Sequence, residues 1–289
     1  MTIQRIANYP MPERSICVAN RTNWKLDPDR AVLLIHDMQR YFLQFYDQDG
    51  PLISTLIHNL CRLRKWAREN AVPIVYTAQP YEQAAADRSL LNDMWGPGLT
   101  AADPEQQHII GQLSPDAGDI VLAKWRYSAF KRSDLHERMQ SWNRNQLVIG
   151  GVYAHIGCMV TAVEAFMNDV QAFLISDAVA DFSLEEHRLA LKYVATRCGQ
   201  VLDTESLTGS GASTVTRKWL HAWVQKLIEE ESDLDPDENL IVYGLDSLGI
   251  MRLSSELKGR GINVSYEELG RTPTLSNWWS LVESRQRAV

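Results

Sequence analysis

The feature that most constrains this chain is a regular alternation of apolar runs and amphipathic segments between about residues 30 and 205. Nearly continuous apolar runs predict strands over residues 31–38, 72–79, 119–125, 146–153 and 171–179. Segments with apolar residues three and four positions apart predict helices over residues 52–70, 133–142, 158–170 and 185–198. Strands that are apolar on both faces and separated by helices form a parallel sheet covered by helices on both sides, so we expect an α/β domain.

The carboxyl ends of the predicted strands carry the candidate site. Right-handed crossovers bring these ends to one edge of the sheet, where ligands of open α/β folds bind. Asp37, Lys124 and Gly157 follow three of the strands. Cys158 comes next, at a strand-to-helix turn, which is a common position for a thiol with a lowered pKa and hence for a nucleophile. Taken singly, an Asp at a strand end is usually a turn residue and a lone Lys is usually solvated.

The periodicity changes after a polar Gly/Ser/Thr stretch at residues 203–214. Amphipathic segments over residues 213–230 and 245–261, with a third helix capped by Thr274, predict a small bundle of helices. We therefore predict a first domain over residues 1–207, a linker over 208–213 and an all-α domain over 214–289.

Composition narrows the class of function. The 289 residues carry a net charge of -7, with a pI near 5.5, which argues against a nucleic-acid-binding surface. The four cysteines include no CxxC pair, so their spacing predicts neither a zinc site nor a disulfide framework. The N-terminus lacks an apolar signal core, and no apolar run is long enough for a membrane span. We expect a cytoplasmic protein with reduced thiols.

The second domain contains the most specific short motif. "YGLDSLGIMRLSSEL" (243–257) resembles the attachment site of acyl and peptidyl carrier domains, in which Gly-x-Asp-Ser-Leu starts the second helix. The resemblance implies that Ser247 carries a 4'-phosphopantetheine arm. A phosphodiester on that serine would lie at the positive end of the helix dipole. Leu248 and Met251 are either partner-contact residues or core residues.

Four motifs of the first domain occur in the order of a known family. "AVLLIHDMQ", "YTAQP", "KWRYSAF" and "GVYAHIGCM" together resemble the isochorismatase-like (cysteine hydrolase) superfamily, whose amidohydrolases use an Asp–Lys–Cys triad. The seventh residue counted from Gly151, where that triad has its cysteine, is Gly157. Cys158 is the next residue along and is expected to point into packing. Glycine in place of the triad cysteine, together with the fused carrier domain, resembles the bifunctional isochorismatase/aryl carrier proteins of catechol siderophore biosynthesis.

This resemblance implies hydrolysis of the enolpyruvyl ether of isochorismate to pyruvate and 2,3-dihydro-2,3-dihydroxybenzoate. Protonation of the terminal carbon is the demanding step, and it needs a positioned acid. We assign that role to Asp37, with Lys124 beside it. Glycine at position 157 is expected to open space for the enolpyruvyl group. The remaining predicted substrate contacts and cavity walls are Gln79, Arg88, Tyr153, Phe42, Trp95 and Tyr127.

The resemblance also implies a cis peptide bond, the absence of a metal and a set of partners. The Val152–Tyr153 peptide bond is expected to be cis. His36 and His155 flank the site and are expected to lie outside any cluster of metal ligands, so no metal is implied. The implied partners are a phosphopantetheinyl transferase, a 2,3-dihydroxybenzoate-adenylating ligase and a condensation domain of a nonribosomal peptide synthetase. A homo-oligomer formed through the α/β domain is also implied, with no nucleic-acid or membrane partner.

Two alternatives remain open from the sequence. The first is an amidohydrolase that depends on Cys158. The second is an inactive hydrolase scaffold that serves only as a carrier protein. Four polar residues typical of the active family are all present, which argues against the second alternative: Asp37, Lys124, Gln79 and Arg88.

Overall fold

The computed structural model describes residues 3–12, 19–208, 215, 217–225, 227–228, 234–259 and 262–286. The chain divides into two compact units, residues 1–208 and 209–289. Apart from Thr208, the predicted linker over residues 208–213 lies outside the described residues.

The first unit is built on a six-stranded parallel sheet. The strands are β1 (Ala31–His36), β2 (Ile74–Ala78), β3 (Ile120–Ala123), β4 (Gln146–Val152), β5 (Gln171–Ala180) and β6 (Gly199–Leu202). Their spatial order is β3-β2-β1-β4-β5-β6, and all neighbouring pairs are parallel. The sequence predicted the first five strands and missed β6. That strand has only four residues and follows a helical segment directly, so it offers too short a pattern to separate from the helix.

Helices cover the sheet on both faces. They are α1 (Arg40–Leu43), α2 (Pro51–Glu69), α3 (Ala85–Arg88), α4 (Leu91–Trp95), α5 (Leu135–Ser141), α6 (Met159–Met167), α7 (Leu184–Tyr193) and α8 (Thr204–Thr208). Two π-helical turns, Ala154–Cys158 and Val194–Cys198, follow β4 and α7. Short 3-10 turns occupy Pro28–Arg30, Gly98–Ala101, Pro104–Gln107 and Gly111–Leu113.

Strand β1 shows why both faces are covered. Its side chains point alternately to the two faces. Ala31, Leu33 and Ile35 join one hydrophobic cluster, in which α2 packs, whereas Val32 and Leu34 join a second cluster with α6 and α7. All six residues of β1 are buried. The parallel α/β architecture predicted from the sequence is therefore present.

The strand order determines where a ligand site forms. The chain adds β2 and β3 on one side of β1, then returns and adds β4, β5 and β6 on the other. The order reverses between β1 and β4, and such a reversal leaves a crevice at the carboxyl ends of the two strands. Asp37 directly follows β1, and the turn that contains Gly157 follows β4.

The second unit is a small helical bundle. Its described helices are α9 (Arg217–Gln225), α10 (Ser247–Gly259), α11 (Tyr266–Arg271) and α12 (Leu275–Gln286). Its apolar core surrounds the fully buried ring of Trp278. The Oγ1 atom of Thr274 accepts a hydrogen bond from the Asn277 amide, as expected of the predicted cap. None of the described helices of the chain is long and apolar enough to cross a membrane.

Helix α11 was missed by the sequence analysis. It has six residues, which is less than two turns, so it shows no clear apolar periodicity. A capping box starts it, because Ser265 and Glu268 exchange hydrogen bonds between their side chains and backbone amides. That local signal was present in the sequence.

Candidate active site

A cavity opens at the crevice between β1 and β4. It encloses about 580 Å³ of empty space, a volume that includes its open mouth. All nine residues that the sequence predicted for the α/β site line it: Asp37, Phe42, Gln79, Arg88, Trp95, Lys124, Tyr127, Tyr153 and Gly157. The lining residues not predicted as contacts are Ile3, His36, Tyr41, Leu91, Arg126, Ile156 and Phe182.

Asp37 and Lys124 form a buried ion pair at the foot of the cavity. The Lys124 ammonium donates to Oδ2 of Asp37 at 3.1 Å, and the exposed fractions of the two residues are 4% and 6%. The other carboxylate oxygen, Oδ1, accepts from the hydroxyl of Thr77 at 2.6 Å. The backbone of Asp37 has a φ of 50°, in the left-handed region that non-glycine residues seldom adopt. Both carboxylate oxygens are thus held by donors.

His36 lies beside this pair as a neutral ring. Burial lowers the pKa of His36 to about 4, although the nearby carboxylate of Asp37 opposes that effect. Its Nδ1 atom is 2.7 Å from the carbonyl oxygen of Val152, so Nδ1 carries the proton and donates. Nδ1 also lies 3.7 Å from Oδ2 of Asp37, but a neutral imidazole makes no ion pair there. The buried Nε2 atom has no hydrogen-bond partner among the described residues.

The surroundings of Gly157 contradict one expectation from the sequence. The sequence analysis assigned the missing side chain to space for the substrate's enolpyruvyl group. In the structure, a β-carbon built on Gly157 would overlap the ring of His36 and lie 2.6 Å from its Nε2 atom. The space next to the Gly157 Cα is therefore filled by the imidazole. The hydroxyl of Thr161 also donates to the Gly157 carbonyl at 2.6 Å and holds this turn.

Cys158 is a core residue. Its side chain is fully buried in the hydrophobic cluster that includes α6 and α7. Burial raises the pKa of the Cys158 thiol well above its usual value, and the charges of Asp37 and Asp181 add to that effect. Cys158 does not line the cavity, whereas Gly157 does. The packing role expected from the sequence is confirmed, and a low-pKa thiol at this turn is not present.

Arg88 provides a buried positive charge without an acidic partner. Its exposed fraction is 4%, and no carboxylate in the described part of the chain forms an ion pair with it. Its Nε atom donates to the carbonyl of Gly96 at 3.0 Å, and Nη1 lies 3.4 Å from Oε1 of Gln79. Burial lowers the pKa of Arg88. A guanidinium in this setting is suited to bind a carboxylate of a ligand.

A buried glutamine holds Gln79 in place. The side chain of Gln39 is completely buried; it accepts from the Gln79 amide at 2.7 Å and donates to the Gln79 carbonyl at 2.8 Å. It also donates to the carbonyl of Gln107. Gln39 lies in the same motif as Asp37, but the sequence pattern alone gave no reason to assign it this bridging role between loops.

Aromatic rings form the walls of the cavity. The Tyr153 hydroxyl donates to the Phe42 carbonyl at 2.8 Å, and the indole of Trp95 donates to the Tyr127 hydroxyl at 2.9 Å. The ring of Phe182, which follows β5, lies 4.4 Å from that of Tyr153. The peptide bond between Val152 and Tyr153 is cis, as predicted.

His155 lies in a cluster that the sequence analysis did not expect. Ligand-type atoms of His155, Asp181 and Glu186 lie within 4.8 Å of one another. The fully buried Asp181 accepts from the ring Nδ1 of His155 at 2.7 Å and from the amides of His155 and Phe182. The pKa of His155 is raised on balance: burial lowers it, but the hydrogen bond and charge of Asp181 raise it by more. The oxygens of Asp181 are thus engaged by the turn itself.

Ser247 is placed as the carrier motif predicts. It is the first residue of α10 and is exposed. The preceding Asp246 accepts from the amide of Gly249 at 2.7 Å, so Asp246 is the capping residue and leaves the Ser247 hydroxyl uninvolved in that cap. The first turn of a helix has the amide dipoles that favour a phosphate group. Leu248 and Met251 are 51% and 57% exposed, which excludes them from the core of the second unit.

Comparison with known families matches each of the two units to a protein family. Residues 31–206 match the isochorismatase domain family, and residues 218–281 match the phosphopantetheine attachment site family. The chain therefore belongs to the isochorismatase family and has a carrier-type domain fused to it. The first unit, a hydrolase-type α/β domain, also resembles a solved cysteine hydrolase from Pseudomonas syringae pv. phaseolicola 1448A, with 20% identity and a TM-score of 0.58 over 65% of this chain and 94% of that chain. This last likeness concerns the fold alone.

Two curated relatives share the whole domain arrangement. The chain is 45% identical to enterobactin synthase component B of Escherichia coli (strain K12) over 282 residues, which covers 98% of each protein. It is 42% identical to isochorismatase of Bacillus subtilis (strain 168) over 306 aligned positions, which covers 100% of this chain and 98% of the relative.

Proposed function

We propose that the α/β unit hydrolyses the enolpyruvyl ether of isochorismate to pyruvate and 2,3-dihydro-2,3-dihydroxybenzoate. We further propose that the second unit carries the activated aryl acid during nonribosomal synthesis of a catechol siderophore. The observation that carries the first proposal is a cavity with one buried carboxyl group, Asp37, two buried cations, Lys124 and Arg88, and glycine at the position of the family's nucleophile. The full-length likeness to isochorismatase and enterobactin synthase component B supports both proposals.

The proposed chemistry needs a proton donor and water, but no covalent intermediate. Oδ2 of Asp37 gives its proton to the terminal carbon of the vinyl ether, and the electron pair of the double bond forms the new C–H bond. Water then adds to the resulting oxocarbenium carbon and returns a proton to Asp37. The hemiketal collapses with cleavage of the bond between that carbon and the ether oxygen: the hemiketal hydroxyl becomes the carbonyl of pyruvate, and its proton passes to the ether oxygen, so the ring leaves as an alcohol. One water is consumed and Asp37 is regenerated.

The two cations match the two carboxylates of isochorismate. Arg88 has no acidic partner in the part of the chain that the structure describes, and Gln79 supports it, so it is suited to hold one carboxylate. Lys124 donates to Oδ2 of Asp37, the oxygen that must carry the proton. A substrate carboxylate that accepts from Lys124 instead would free Oδ2 for that proton. The aromatic rings of Phe42, Trp95, Tyr127 and Tyr153 exclude water around the vinyl ether.

Ser247 is the proposed attachment point of the 4'-phosphopantetheine arm. Its hydroxyl is exposed on the first residue of α10, and the amides of that turn can face the phosphodiester. The arm supplies a thiol that holds an acyl group as a thioester. The partners we propose are a phosphopantetheinyl transferase, a 2,3-dihydroxybenzoate-adenylating ligase and a condensation domain, with self-association through the α/β unit.

The decisive assay follows pyruvate release from isochorismate by the full chain, with a lactate dehydrogenase couple. Asp37→Asn is expected to lower turnover by at least about 100-fold, the usual contribution of a general acid. Cys158→Ala is expected to retain turnover, which separates this mechanism from a thiol hydrolase. Loss of activity in Cys158→Ala with an intact circular dichroism spectrum would reject the mechanism without a nucleophile.

The carrier role has its own readout. Incubation with coenzyme A and a phosphopantetheinyl transferase is expected to add one phosphopantetheine mass to the chain and none to Ser247→Ala. If the mass is added while folded protein releases no pyruvate, the chain acts only as a carrier on an inactive hydrolase scaffold.

A further inference from the structure

Thr77 makes two hydrogen bonds to the same residue. It lies in β2, next to His36 of β1 in the parallel register, so its side chain reaches the residue that follows β1. The backbone amide of Asp37 donates to Oγ1 of Thr77 at 3.1 Å, and Oγ1 donates to Oδ1 of Asp37 at 2.6 Å. Thr77 is 1% exposed, so water does not compete for these bonds.

The direction of these bonds follows from elementary chemistry. An amide N–H can only donate, so Oγ1 must accept from it. The Oγ1 atom has a second lone pair, but its buried hydroxyl proton has no acceptor other than Oδ1 among the described contacts, so it donates to Oδ1, which acts as an acceptor. If Asp37 carries a proton, that proton belongs on Oδ2, the oxygen on the Lys124 side. The threonine thereby distinguishes the two oxygens of an otherwise symmetrical group.

We propose that Thr77 is a positioning residue that directs the catalytic proton of Asp37 to Oδ2 and keeps that oxygen aimed into the cavity. The inference rests on the proposed role of Asp37 as the acid. Without the hydroxyl, Oδ1 is no longer reserved as an acceptor and can itself carry the proton, and the carboxyl group loses the anchor that opposes its rotation. The left-handed backbone of Asp37 also loses the acceptor of its amide.

Other ionisable groups also act on Asp37. Lys124 lies 3.1 Å and His36 3.7 Å from Oδ2. Tyr153 and Cys158 are close enough to interact with its charge. Since all four are unchanged in a Thr77 variant, a change in the pH profile of that variant reports on the hydroxyl.

The test compares Thr77→Val, which keeps the shape and removes the hydroxyl, with Thr77→Ser, which keeps the hydroxyl. We expect kcat of Thr77→Val for isochorismate to fall about 10- to 100-fold, the value of a hydrogen bond to a charged group, with KM nearly unchanged. Its alkaline activity limit is expected to move to higher pH, because the ionised carboxylate has lost a donor. Thr77→Ser is expected to restore kcat to within about threefold of the parent chain, a difference of less than 1 kcal/mol.

The outcomes separate this inference from the proposed function. An active parent chain, an inactive Asp37→Asn variant and a Thr77→Val variant with unchanged kcat and pH profile would overturn the role of Thr77 alone. Equal loss of kcat in Thr77→Val and Thr77→Ser would also overturn it, because the loss would then come from packing. An inactive parent chain, or an active Asp37→Asn variant, would instead remove the proposed function. Urea unfolding of each variant identifies any loss that comes from misfolding.

Discussion

The imidazole of His36 stands where a side chain on residue 157 would have to lie. A β-carbon on Gly157 would overlap the ring. His36 in turn is fixed through its Nδ1 atom by the carbonyl of Val152, at the start of the same turn. A side chain at position 157 therefore requires the His36 ring to move.

A side chain on residue 157 should disturb this arrangement. Gly157→Ala is expected to displace the His36 ring, to lower kcat/KM for isochorismate by at least about tenfold, and to cost about 1–3 kcal/mol of unfolding free energy through overpacking. Gly111→Ala is the matched control, because a β-carbon there meets no atom within 4 Å. Steady-state kinetics and urea unfolding measure both effects. Equal behaviour of the two variants would contradict the overlap.

Gly98 limits the position of Arg88. A β-carbon on Gly98 would overlap Nη2 of Arg88, so Gly98→Ala is expected to push the guanidinium and raise KM for isochorismate about tenfold. Gly118→Ala controls for backbone strain, because Gly118 also has a positive φ and open space around it. Both variants should lose more than about 1 kcal/mol of stability, because alanine is strained at a positive φ. A KM that rises equally in both would show that strain, and not Arg88, is responsible.

The Cys158 thiol should be inert in the folded chain. It is fully buried and its pKa is raised, and the thiolate is the reactive form. Iodoacetamide labelling at pH 7.5, read by peptide mass spectrometry, is expected to modify the half-buried Cys61 well before Cys158. In urea the two should react at similar rates. Rapid labelling of Cys158 in folded protein would contradict its assignment as a core residue.

Two buried histidines predict a loss of stability in acid. Burial lowers the pKa of both His36 and His187 to about 4, below the value of 6.5 in an unfolded chain. The unfolded state thus binds more protons between these values, so the unfolding free energy falls as the pH drops from about 6.5 towards 4, by about 1.4 kcal/mol per pH unit for each histidine. His155, whose pKa is raised, acts above this range: its stabilising contribution increases as the pH falls towards 6.5 and is constant below it.

His187→Gln isolates one of these contributions. In the folded chain, Nε2 of His187 donates to the Ser176 carbonyl and Nδ1 accepts from the Tyr9 hydroxyl, so the ring is neutral. Urea unfolding at pH 7 and pH 5 should show a smaller loss of stability between the two values in His187→Gln than in the parent chain. An unchanged pH dependence would mean that His187 is not held neutral by the fold.

Most of the architecture could be predicted from the sequence because it depends on local patterns of apolar residues. The apolar runs at residues 31–38 and 146–153 predicted β1 and β4 within two residues of their observed ends. Counting from Gly151 identified Gly157 as the residue at the position of the triad cysteine. Strand β6 and helix α11 were missed because four and six residues are too few to show a periodicity. Strand β6 forms because β5 supplies its hydrogen bonds. Helix α11 is stabilised by its capping box and by the burial of Leu269 in the core of the bundle.

The sequence by itself determined nine of the residues that line the cavity, the serine of the second unit, and the lack of a nucleophile at position 157. Only the tertiary structure decided the contacts among them. It placed the ring of His36 against Gly157, the hydroxyl of Thr77 on Oδ1 of Asp37, and Phe182 in the cavity wall. The first two contacts join residues 121 and 40 positions apart. All three depend on the register and twist of the sheet, which no local pattern records.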